Sequence, residues 1–404
     1  MSGEPDGASG PARGGPARGG PARGGPARGP AGGGPARGGH VGGARHAETL
    51  ELGSVPGFVV FDLPGAPFSA GGTRLAPDVT KAEVALLARA MTYKFAVLGE
   101  RIGGAKAGVV GDPADRVGRA SRMARYCAEI RPLVDSGRFL TGPDMGTSEQ
   151  DFAPLREGKA PPTAIGAIVD GMPFEDVLTG FGVVVAAETA LRARRGDGWE
   201  GRSVAIEGFG KVGSGVAREV VKRGGRVVAV STVAGCLTGS SGLDVERLLA
   251  LRRVHADECV AHYGGALGPP GQLFAAVDAD VVVPGARPGV ISRRAAESLP
   301  AAVGIVAPAA NVPYTRDGAD VLRQRGIVAL PDFVCNAGAV IGYRSAREAT
   351  PEQVLADVAD RIGQLIGEAL RHPSGPLAGA CEHAMSFLRG WWGEPPDPPF
   401  ADPR

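Results

Sequence analysis

The chain has 404 residues, and its 44 Lys plus Arg and 43 Asp plus Glu give a formal net charge of +1. This length predicts two or three domains, and the balanced charge gives no electrostatic reason to expect nucleic acid or a membrane surface as a partner. No apolar run reaches the roughly 18 residues of a membrane helix, and no apolar signal segment begins the chain, so export is not expected.

Cysteine and histidine usage bears on compartment and metal binding. The five cysteines are scattered without a CxxC pair, and the six histidines are dispersed. This pattern is typical of a reducing cytoplasm and predicts no metal site.

Residues 1–45 differ in composition from the rest of the chain. The unit Pro-Ala-Arg-Gly-Gly repeats from Pro11, with almost no bulky apolar residues. Such a segment cannot bury enough surface to offset its ordering entropy, so it is predicted to be disordered. An Arg-Gly tail that contacts RNA is the alternative. The segment has no aromatic residue for base stacking, which favours an inert or regulatory tail.

Two lysines stand out, because only six of the chain's basic residues are lysine. Arginine holds its proton, whereas a buried lysine can be tuned to exchange it. Lys94 ends the sequence Met91-Thr-Tyr-Lys94, in the C-terminal part of a helix predicted to begin at Thr80. Lys106 follows Gly103-Gly-Ala, interpreted as a loop after a glycine break. Both are candidates for chemistry, with ordinary surface lysines as the alternative.

Short elements are predicted around these lysines. Residues 57–61 indicate a strand, residues 71–74 a turn and residues 117–135 a helix. Gly142-Pro143-Asp144 predicts a second turn, so Asp144 is either a turn residue or a chemical group. Residues 152–178 are Pro-rich and are interpreted as a hinge or loop.

A dinucleotide-binding pattern follows. An apolar helix beginning at Thr179 precedes a buried strand at residues 203–207, which runs into a glycine turn and a helix over residues 214–223. The turn reads Gly208, Phe209, Gly210, Lys211, Val212 and Gly213. With a second strand over residues 226–230, this context makes GxGxxG a specific sign of a pyrophosphate site at a helix N-terminus.

The second strand of this unit bears on coenzyme choice. It ends in Ser231 and Thr232, where NAD-binding proteins usually present an acid to the ribose. The missing acid weakens an NAD-only interpretation and leaves NADP open.

Further short apolar strands, typical of a parallel sheet covered on both faces, are predicted over residues 280–284, 304–307 and 326–330. The loops after the last two carry Ala309 with Asn311, and Asn336. They lie at the sheet edge where ligands of open α/β sheets bind, so the asparagines could contact nicotinamide or its ribose, or only shape turns. Helices are predicted over residues 351–370 and 377–392, followed by a loose Pro-rich end.

Residues 50–370 resemble, in register and in order, the glutamate/leucine/phenylalanine/valine dehydrogenase family. The matching motifs are Met91-Thr-Tyr-Lys94, Gly103-Gly-Ala-Lys106, Gly142-Pro-Asp144-Met-Gly-Thr, Gly208-Phe-Gly-Lys-Val-Gly213, Ala309-Ala-Asn311 and Pro331-Asp-Phe-Val-Cys-Asn336-Ala-Gly338. Several motifs in one order are more specific than any one of them.

The resemblance implies an α/β fold. An N-terminal α/β substrate-binding and assembly domain, residues 46–178, would precede a Rossmann-like, doubly wound dinucleotide-binding domain, residues 179–349. The C-terminal helices, residues 350–404, would pack back on the first domain. A homo-oligomer is implied as well.

The implied reaction is reversible oxidative deamination of an amino acid by NAD or NADP, giving a 2-oxo acid and ammonia. Lys94 would hold the substrate carboxylate, Lys106 would activate water, and Asp144 would shuttle protons. A lysine that acts as a base near neutral pH needs a lowered pKa, which burial and a neighbouring cation supply.

The substrate side chain is predicted to be apolar or aromatic. In the glutamate-using branch a lysine before the first Gly-Gly pair meets the distal carboxylate, and here Ala70 precedes that pair, which ends at Gly72. The serine that assists this lysine is replaced by Tyr343. An unpaired buried carboxylate costs several kcal/mol, so glutamate should be a poor substrate. Gly72 and Met91 would also line the substrate site.

The chain departs from the family at Ala107, at Ala339 and over residues 156–176, which bears on efficiency and substrate more than on reaction type. Three alternatives remain: a catalytically silent dinucleotide-binding relative, a glutamate-type dehydrogenase and an RNA-associated protein that uses the Arg-Gly tail. The presence of Lys94, Lys106 and Asp144 favours an active enzyme.

Overall fold

The structure, a computed structural model, describes residues 47–156, 163–169 and 171–402. The tail predicted to be disordered, residues 1–45, lies outside these ranges. Within them no helix is long and apolar enough to cross a membrane, and no group of His, Cys, Asp or Glu is arranged to hold a metal ion.

The first sheet has five strands. They are β1 (Glu48–Glu51), β2 (Gly57–Phe61), β3 (Ser69–Ala76), β4 (Gly103–Val110) and β5 (Leu140–Pro143). Their order is β1-β2-β4-β3-β5, with β3 parallel to β4 and β5 and the other pairs antiparallel. Helices α1 (Lys81–Val97) and α2 (Arg116–Asp135) flank it. Successive β4 residues point to opposite faces; Ala105 and Ala107 pack with α2, so Lys106 points to the α1 side.

Two predictions for this region are wrong. Residues 71–74, predicted as a turn, lie inside β3, and Lys106, predicted in a loop, lies inside β4. The residue that follows the C-cap of α1 is Gly99, at φ +74. Gly104 instead lets α1 approach the sheet, since a Cβ there would lie 1.9 Å from the Ala88 carbonyl oxygen. The glycine serves close packing and does not break a helix.

A hairpin of β6 (Ile168–Val169) and β7 (Met172–Pro173) leads into the second sheet. This sheet has seven strands: β8 (Ser203–Glu207), β9 (Arg226–Thr232), β10 (Gly235–Thr238), β11 (Leu267–Gly268), β12 (Val281–Pro284), β13 (Ile305–Val306) and β14 (Val328–Ala329). Their order is β11-β10-β9-β8-β12-β13-β14. All are parallel except β10 and β11 at one edge. The strand order reverses beside β8, where ligands of such sheets bind.

The remaining helices are α3 (Phe174–Arg195), α4 (Lys211–Lys222), α5 (Val245–His255), α6 (Cys259–His262), α7 (Gln272–Ala276), α8 (Arg293–Ser298), α9 (Arg316–Gln324), α10 (Asp332–Cys335), α11 (Gly338–Gly342), α12 (Pro351–Ala369) and α13 (Pro376–Trp391). On β8, Val204 and Ile206 pack with α3 and α4, whereas Ala205 packs with α8 and α9. Alternate residues thus enter two cores, which confirms a doubly wound sheet covered on both faces.

Helix α3 begins five residues before the predicted start at Thr179, because Phe174 and Leu178 are buried and extend its apolar side. Part of the stretch interpreted as a loop is helical, with 3₁₀ helices at Glu149–Leu155 and Thr163–Gly166; residues 157–162 lie outside the described ranges. A third 3₁₀ helix is Ala256–Glu258. A domain boundary placed after residue 178 would fall inside α3.

The C-terminal segment returns to the first sheet's helix. Helix α13 packs against α1. The Pro-rich end, predicted to be loose, is held: Tyr93 donates to the Pro396 carbonyl at 2.6 Å, and Arg89 donates to that of Asp397 at 2.9 Å. Further on, the Ala401 amide donates to the Tyr314 carbonyl at 3.0 Å. Backbone pairing that the sequence does not reveal orders this end.

Candidate active site

Lys106 and Asp144 meet at one end of the first sheet. Lys106 Nζ lies 3.2 Å from Asp144 Oδ2, and Arg74 Nε lies 3.2 Å from the same oxygen. Arg74 also pairs with Glu83 at 2.5 Å. Burial acts to raise the Asp144 pKa, but Lys106 and Arg74 outweigh it and hold that pKa at about 2. Asp144 is therefore an ionised, half-buried carboxylate at neutral pH.

A tight turn fixes Asp144. The predicted turn begins two residues later than expected, since β5 continues to Pro143. The Asp144 amide donates to Thr147 Oγ1 at 2.9 Å, and that hydroxyl donates to the Thr73 carbonyl at 2.8 Å. Gly72 lies alongside, where a Cβ would be 3.0 Å from that of Asp144.

Lys94 approaches this pair from α1. The residue is 5 % exposed, and its Nζ donates to the Asn336 carbonyl over a long 3.4 Å. Burial and then the Lys106 charge lower its pKa to about 8, although Asp332 and Asp144 oppose this. Lys94 is therefore cationic at neutral pH and loses its charge just above it.

The two asparagines form one unit. Asn336 Nδ2 donates to the Ala309 carbonyl at 3.2 Å and to Asn311 Oδ1 at 3.0 Å. Asn336 Oδ1 is buried and has no hydrogen-bond partner in the described part of the chain. Buried acceptors without partners are uncommon, so this oxygen can take a donor such as the carboxamide of a nicotinamide.

The glycine turn fits a dinucleotide pyrophosphate. Gly208 has φ +84, and a Cβ on Gly213 would lie 1.9 Å from the Gly208 carbonyl oxygen. Nothing lies within 4 Å of a Cβ on Gly210, which caps α4 without a side-chain hydrogen bond. The helix N-terminus thus presents its N–H groups to an open space.

The other residues of this turn differ in exposure. Phe209 is buried in the core, so only its backbone is available to a ligand. Val212 is half-buried. The Lys211 side chain is 53 % exposed, with Nζ 3.8 Å from Asp176 Oδ1. Lys211 is thus a largely exposed cation beside the turn.

The end of β9 adjoins the same turn. The Gly208 amide donates to the Ser231 carbonyl at 2.8 Å. Ser231 and Thr232 are both buried, and Thr232 Oγ1 donates to the Asp257 carbonyl at 2.6 Å. Thr179 lies in the first turns of α3, with its hydroxyl donating to the Glu175 carbonyl at 3.3 Å. The end of β9 therefore presents hydroxyl groups and no acidic side chain.

An apolar cluster lies next to the lysines. Buried Met91, Phe95 and Ile102 pack with Ala70 and Val340. The sequence predicted Ala70 and Met91 for the substrate site but missed the other three. Phe95 follows Met91 by four residues on one helix face, and Val340 follows the asparagine of the Asn-Ala-Gly motif by four, so helical spacing was the available signal.

Tyr343 lies outside this cluster. Its hydroxyl contacts Glu149 Oε1 at 3.2 Å and Glu175 Oε2 at 3.3 Å. The ring packs against the larger core instead. The sequence analysis also missed Arg74, which closely follows the Gly71-Gly72 pair, and Asp332, which lies inside the motif that ends at Gly338.

The profile of the Glutamate/Leucine/Phenylalanine/Valine dehydrogenase family matches residues 171–350, and that of the Glu/Leu/Phe/Val dehydrogenase dimerisation domain matches residues 64–158. Glutamate dehydrogenase A2 of Halobacterium salinarum is 32% identical over 294 residues, which cover 70% of this chain and 69% of that protein. The chain belongs to this family. Glutamate/leucine/phenylalanine/valine dehydrogenases are NAD- or NADP-dependent amino-acid dehydrogenases.

Solved structures of two amino-acid dehydrogenases have a similar fold. The hetero-hexameric glutamate dehydrogenase of Thermus thermophilus in a Leu-bound form has a TM-score of 0.71 and 27% identity, over 85% of this chain and 89% of that one. L-tryptophan dehydrogenase of Nostoc punctiforme has a TM-score of 0.57 and 21% identity, over 85% and 97%. The second likeness concerns the fold alone.

Proposed function

We propose that this family member catalyses the reversible oxidative deamination of an apolar or aromatic L-amino acid to its 2-oxo acid and ammonia. The observation that carries the proposal is the grouping of buried Lys94 and Lys106 with half-buried Asp144. It lies beside an asparagine pair with an unpartnered acceptor, Asn336 Oδ1. A silent relative would have no reason to keep two lysines away from water, since burial of charge is costly.

Lys94 binds the substrate α-carboxylate. Its charge is buried and has no full carboxylate partner within salt-bridge distance among the described residues. A bound carboxylate supplies the missing counter-charge and offsets the burial of the lysine.

Asp144 carries the proton transfers, and Lys106 activates the water. Ionised Asp144 accepts a proton from the substrate ammonium group, so the amine lone pair can assist loss of hydride from Cα. Water held by Lys106 then adds to the iminium carbon, while Asp144 gives its proton to the nitrogen and takes up the proton that the water loses. When the C–N bond breaks, the hydroxyl proton leaves with ammonia as ammonium, and Asp144 releases its proton to solvent. The 3.2 Å contact keeps Lys106 and Asp144 beside the same reacting atoms.

NAD or NADP supplies the acceptor for the hydride. The glycine residues Gly208, Gly210 and Gly213 and the N-terminus of α4 would hold the pyrophosphate, and Asn311 and Asn336 the nicotinamide end. Ala309, Thr179, Ser231 and Thr232 surround these positions. These residues would hold the nicotinamide ring near the substrate Cα and exclude water.

The apolar cluster supports an apolar substrate side chain. Ala70, Met91 and Val340 offer no hydrogen-bonding side-chain group, so a distal carboxylate would be buried without a partner, at a cost of several kcal/mol. Gly72, beside Asp144, would border the amino and carboxylate groups on the substrate Cα.

Tyr343 supplies no cation for a distal carboxylate. Its hydroxyl contacts the Glu149 and Glu175 carboxylates, and its ring packs outside the apolar cluster. Glutamate is nevertheless the second candidate, because the Halobacterium and Thermus relatives carry the name glutamate dehydrogenase.

Coenzyme reduction with each L-amino acid, and with NAD and NADP in turn, tests the proposal. Leucine, valine, phenylalanine or tryptophan should exceed glutamate in kcat/KM. Ala70→Lys should raise kcat/KM for glutamate relative to leucine at least about tenfold by supplying the cation. Ala70→Gln, similar in length but neutral, is the control and should not. Faster turnover of glutamate than of every apolar amino acid in the unmodified protein would refute the apolar assignment.

Domain roles, assembly and location complete the proposal. Residues 46–178 would bind substrate and form the oligomer, residues 179–349 would bind coenzyme, and residues 350–404 would pack on the first part. The dimerisation-domain match supports a homo-oligomer, which light scattering on the purified protein would test. All five cysteines are free, which supports the cytoplasm as location.

A further inference from the structure

Asp332 joins two parts of the site that the sequence motifs treat separately. It begins α10 and is 2 % exposed. Its Oδ2 accepts the Val312 amide at 2.8 Å. Val312 has φ +51, a left-handed conformation that a β-branched residue rarely adopts. Such strain persists only where surrounding contacts enforce it, and it concentrates at functional sites.

The strained residue follows Asn311 directly. Val312 packs with Ala90 and Ala401, and Asn311 Oδ1 accepts from Asn336. The hydrogen bond to Asp332 therefore sets the backbone at the point where the Asn311 side chain is aimed. Without it, Val312 would relax toward negative φ, and Asn311 would turn away from the coenzyme edge.

The same carboxylate acts on Lys94. Its negative charge raises the Lys94 pKa against burial. The backbone of Asn336 links the two residues. Its N–H donates to the Asp332 backbone carbonyl at 3.0 Å, and its backbone carbonyl accepts from Lys94. Burial raises the Asp332 pKa to about 6, although the Val312 amide and Lys94 oppose this, so Asp332 is ionised at neutral pH.

We propose that Asp332 is a positioning residue that serves both halves of the reaction. Through the Val312 amide it holds the Asn311 turn for the coenzyme, and through its charge it keeps Lys94 ready for the substrate carboxylate. This inference rests on the proposed function, and nothing in the family motifs assigns the role.

Asp332→Asn separates the two effects, because the amide oxygen still accepts the Val312 N–H but carries no charge. Binding of NADH and NADPH to the protein alone, measured by calorimetry, should stay within about twofold. The 2-oxo acid of the best amino-acid substrate should bind the protein–coenzyme complex about tenfold more weakly near pH 8. Its loss of affinity with rising pH should begin at lower pH than in the unmodified protein, since Lys94 loses its proton sooner.

Asp332→Ala removes both contacts, so coenzyme binding should weaken as well, by about tenfold. Adding Val312→Gly should restore coenzyme binding alone, because glycine adopts positive φ without strain. The 2-oxo acid should remain weakly bound.

Three results would overturn the assignment: an unmoved pH profile in Asp332→Asn, unchanged coenzyme binding in Asp332→Ala, or no rescue by Val312→Gly. If each variant's loss of binding is matched by an equal loss of folded protein, the role of Asp332 is structural, and this result would also overturn the assignment. Failure of the proposed function is distinguishable, because the unmodified protein would then bind coenzyme but turn over no amino acid, or bind neither ligand.

Discussion

Burial distinguishes the two site lysines from an ordinary surface lysine of the same chain. Lys94 and Lys106 are 5% and 4% exposed, whereas the Lys81 side chain is 58% exposed and pairs with Glu51. A buried ammonium needs a counter-charge or loses its proton. The two site lysines therefore depend on neighbouring charges, whereas water stabilises an exposed lysine.

Lys106→Ala should lower turnover by about 10²–10⁴-fold, because the residue is assigned to the chemical step. Coenzyme affinity should be unchanged, since Lys106 belongs to the first sheet, whereas the glycine turn follows β8 of the second. Lys81→Ala is the matched control and should behave like the unmodified protein. Turnover above about a tenth of the unmodified rate at saturating substrate would exclude this role.

The Lys94 pKa of about 8 predicts a pH dependence of substrate binding. Because the folded protein lowers this pKa, Lys94 is cationic below about pH 8 and neutral above it. The 2-oxo acid should therefore bind the protein–coenzyme complex about tenfold more weakly for each pH unit above that value. Fluorescence titration without ammonia measures this, and Lys94→Arg should abolish the trend. Constant affinity between about pH 7 and 10 would contradict the assignment.

Packing of single elements brings these residues together. Helix α1 lies close on β4 because Gly104 offers no side chain to hold it away. Neighbouring strands β3 and β4 then place Arg74 and Lys106 on one face, next to the turn that carries Asp144. A larger residue at 104 would displace the whole helix, and Lys94 with it.

The end of β9 should control coenzyme choice. Thr232→Asp places a negative charge beside the ribose position, so NADP affinity should fall at least about tenfold relative to NAD by like-charge repulsion; Ser231→Asp should act in the same direction. Thr232→Asn is the control, because asparagine has the shape of aspartate but carries no charge. The ratio of kcat/KM for the two coenzymes gives the answer. A strict NAD preference in the unmodified protein would count against the premise that NADP is tolerated.

Across the whole molecule, the C-terminal segment connects distant parts. Tyr93 of α1 bonds the Pro396 carbonyl, and five residues later Ala401 bonds the Tyr314 carbonyl beside the second sheet. The chain therefore crosses between the helix that carries Lys94 and the loop that follows Asn311. Its proline-rich composition suits an extended strap with little ordering cost.

Removing residues 1–45 should leave kinetic constants unchanged within about twofold, because this part carries none of the motifs assigned to the reaction. If the Arg-Gly repeats bind polyanions, affinity for RNA should disappear with them. Amino-acid turnover and RNA retardation, measured on both forms, separate the dehydrogenase from an RNA-associated protein. Loss of turnover on deletion would favour the RNA-associated alternative.

Local chain geometry made much of the molecule predictable. The strand Ser203–Glu207, the glycine turn after it and helices α12 and α13 follow from side-chain periods of two and about 3.6 residues. The order of the motifs in this one sequence, through their resemblance to the family, was enough to predict the family, its coenzyme class and Lys94, Lys106 and Asp144 as candidates.

The tertiary structure alone decided how those residues meet. In the sequence, a glycine pair fits either a turn or a site of close packing. Only the packing of α1 against β4 shows that Gly104 is a site of close packing. Likewise Arg74 with Asp144, and Asp332 with Val312, are joined across long separations in the chain. Sequence spacing carries no information on such contacts, because they depend on which strands and loops become neighbours after folding.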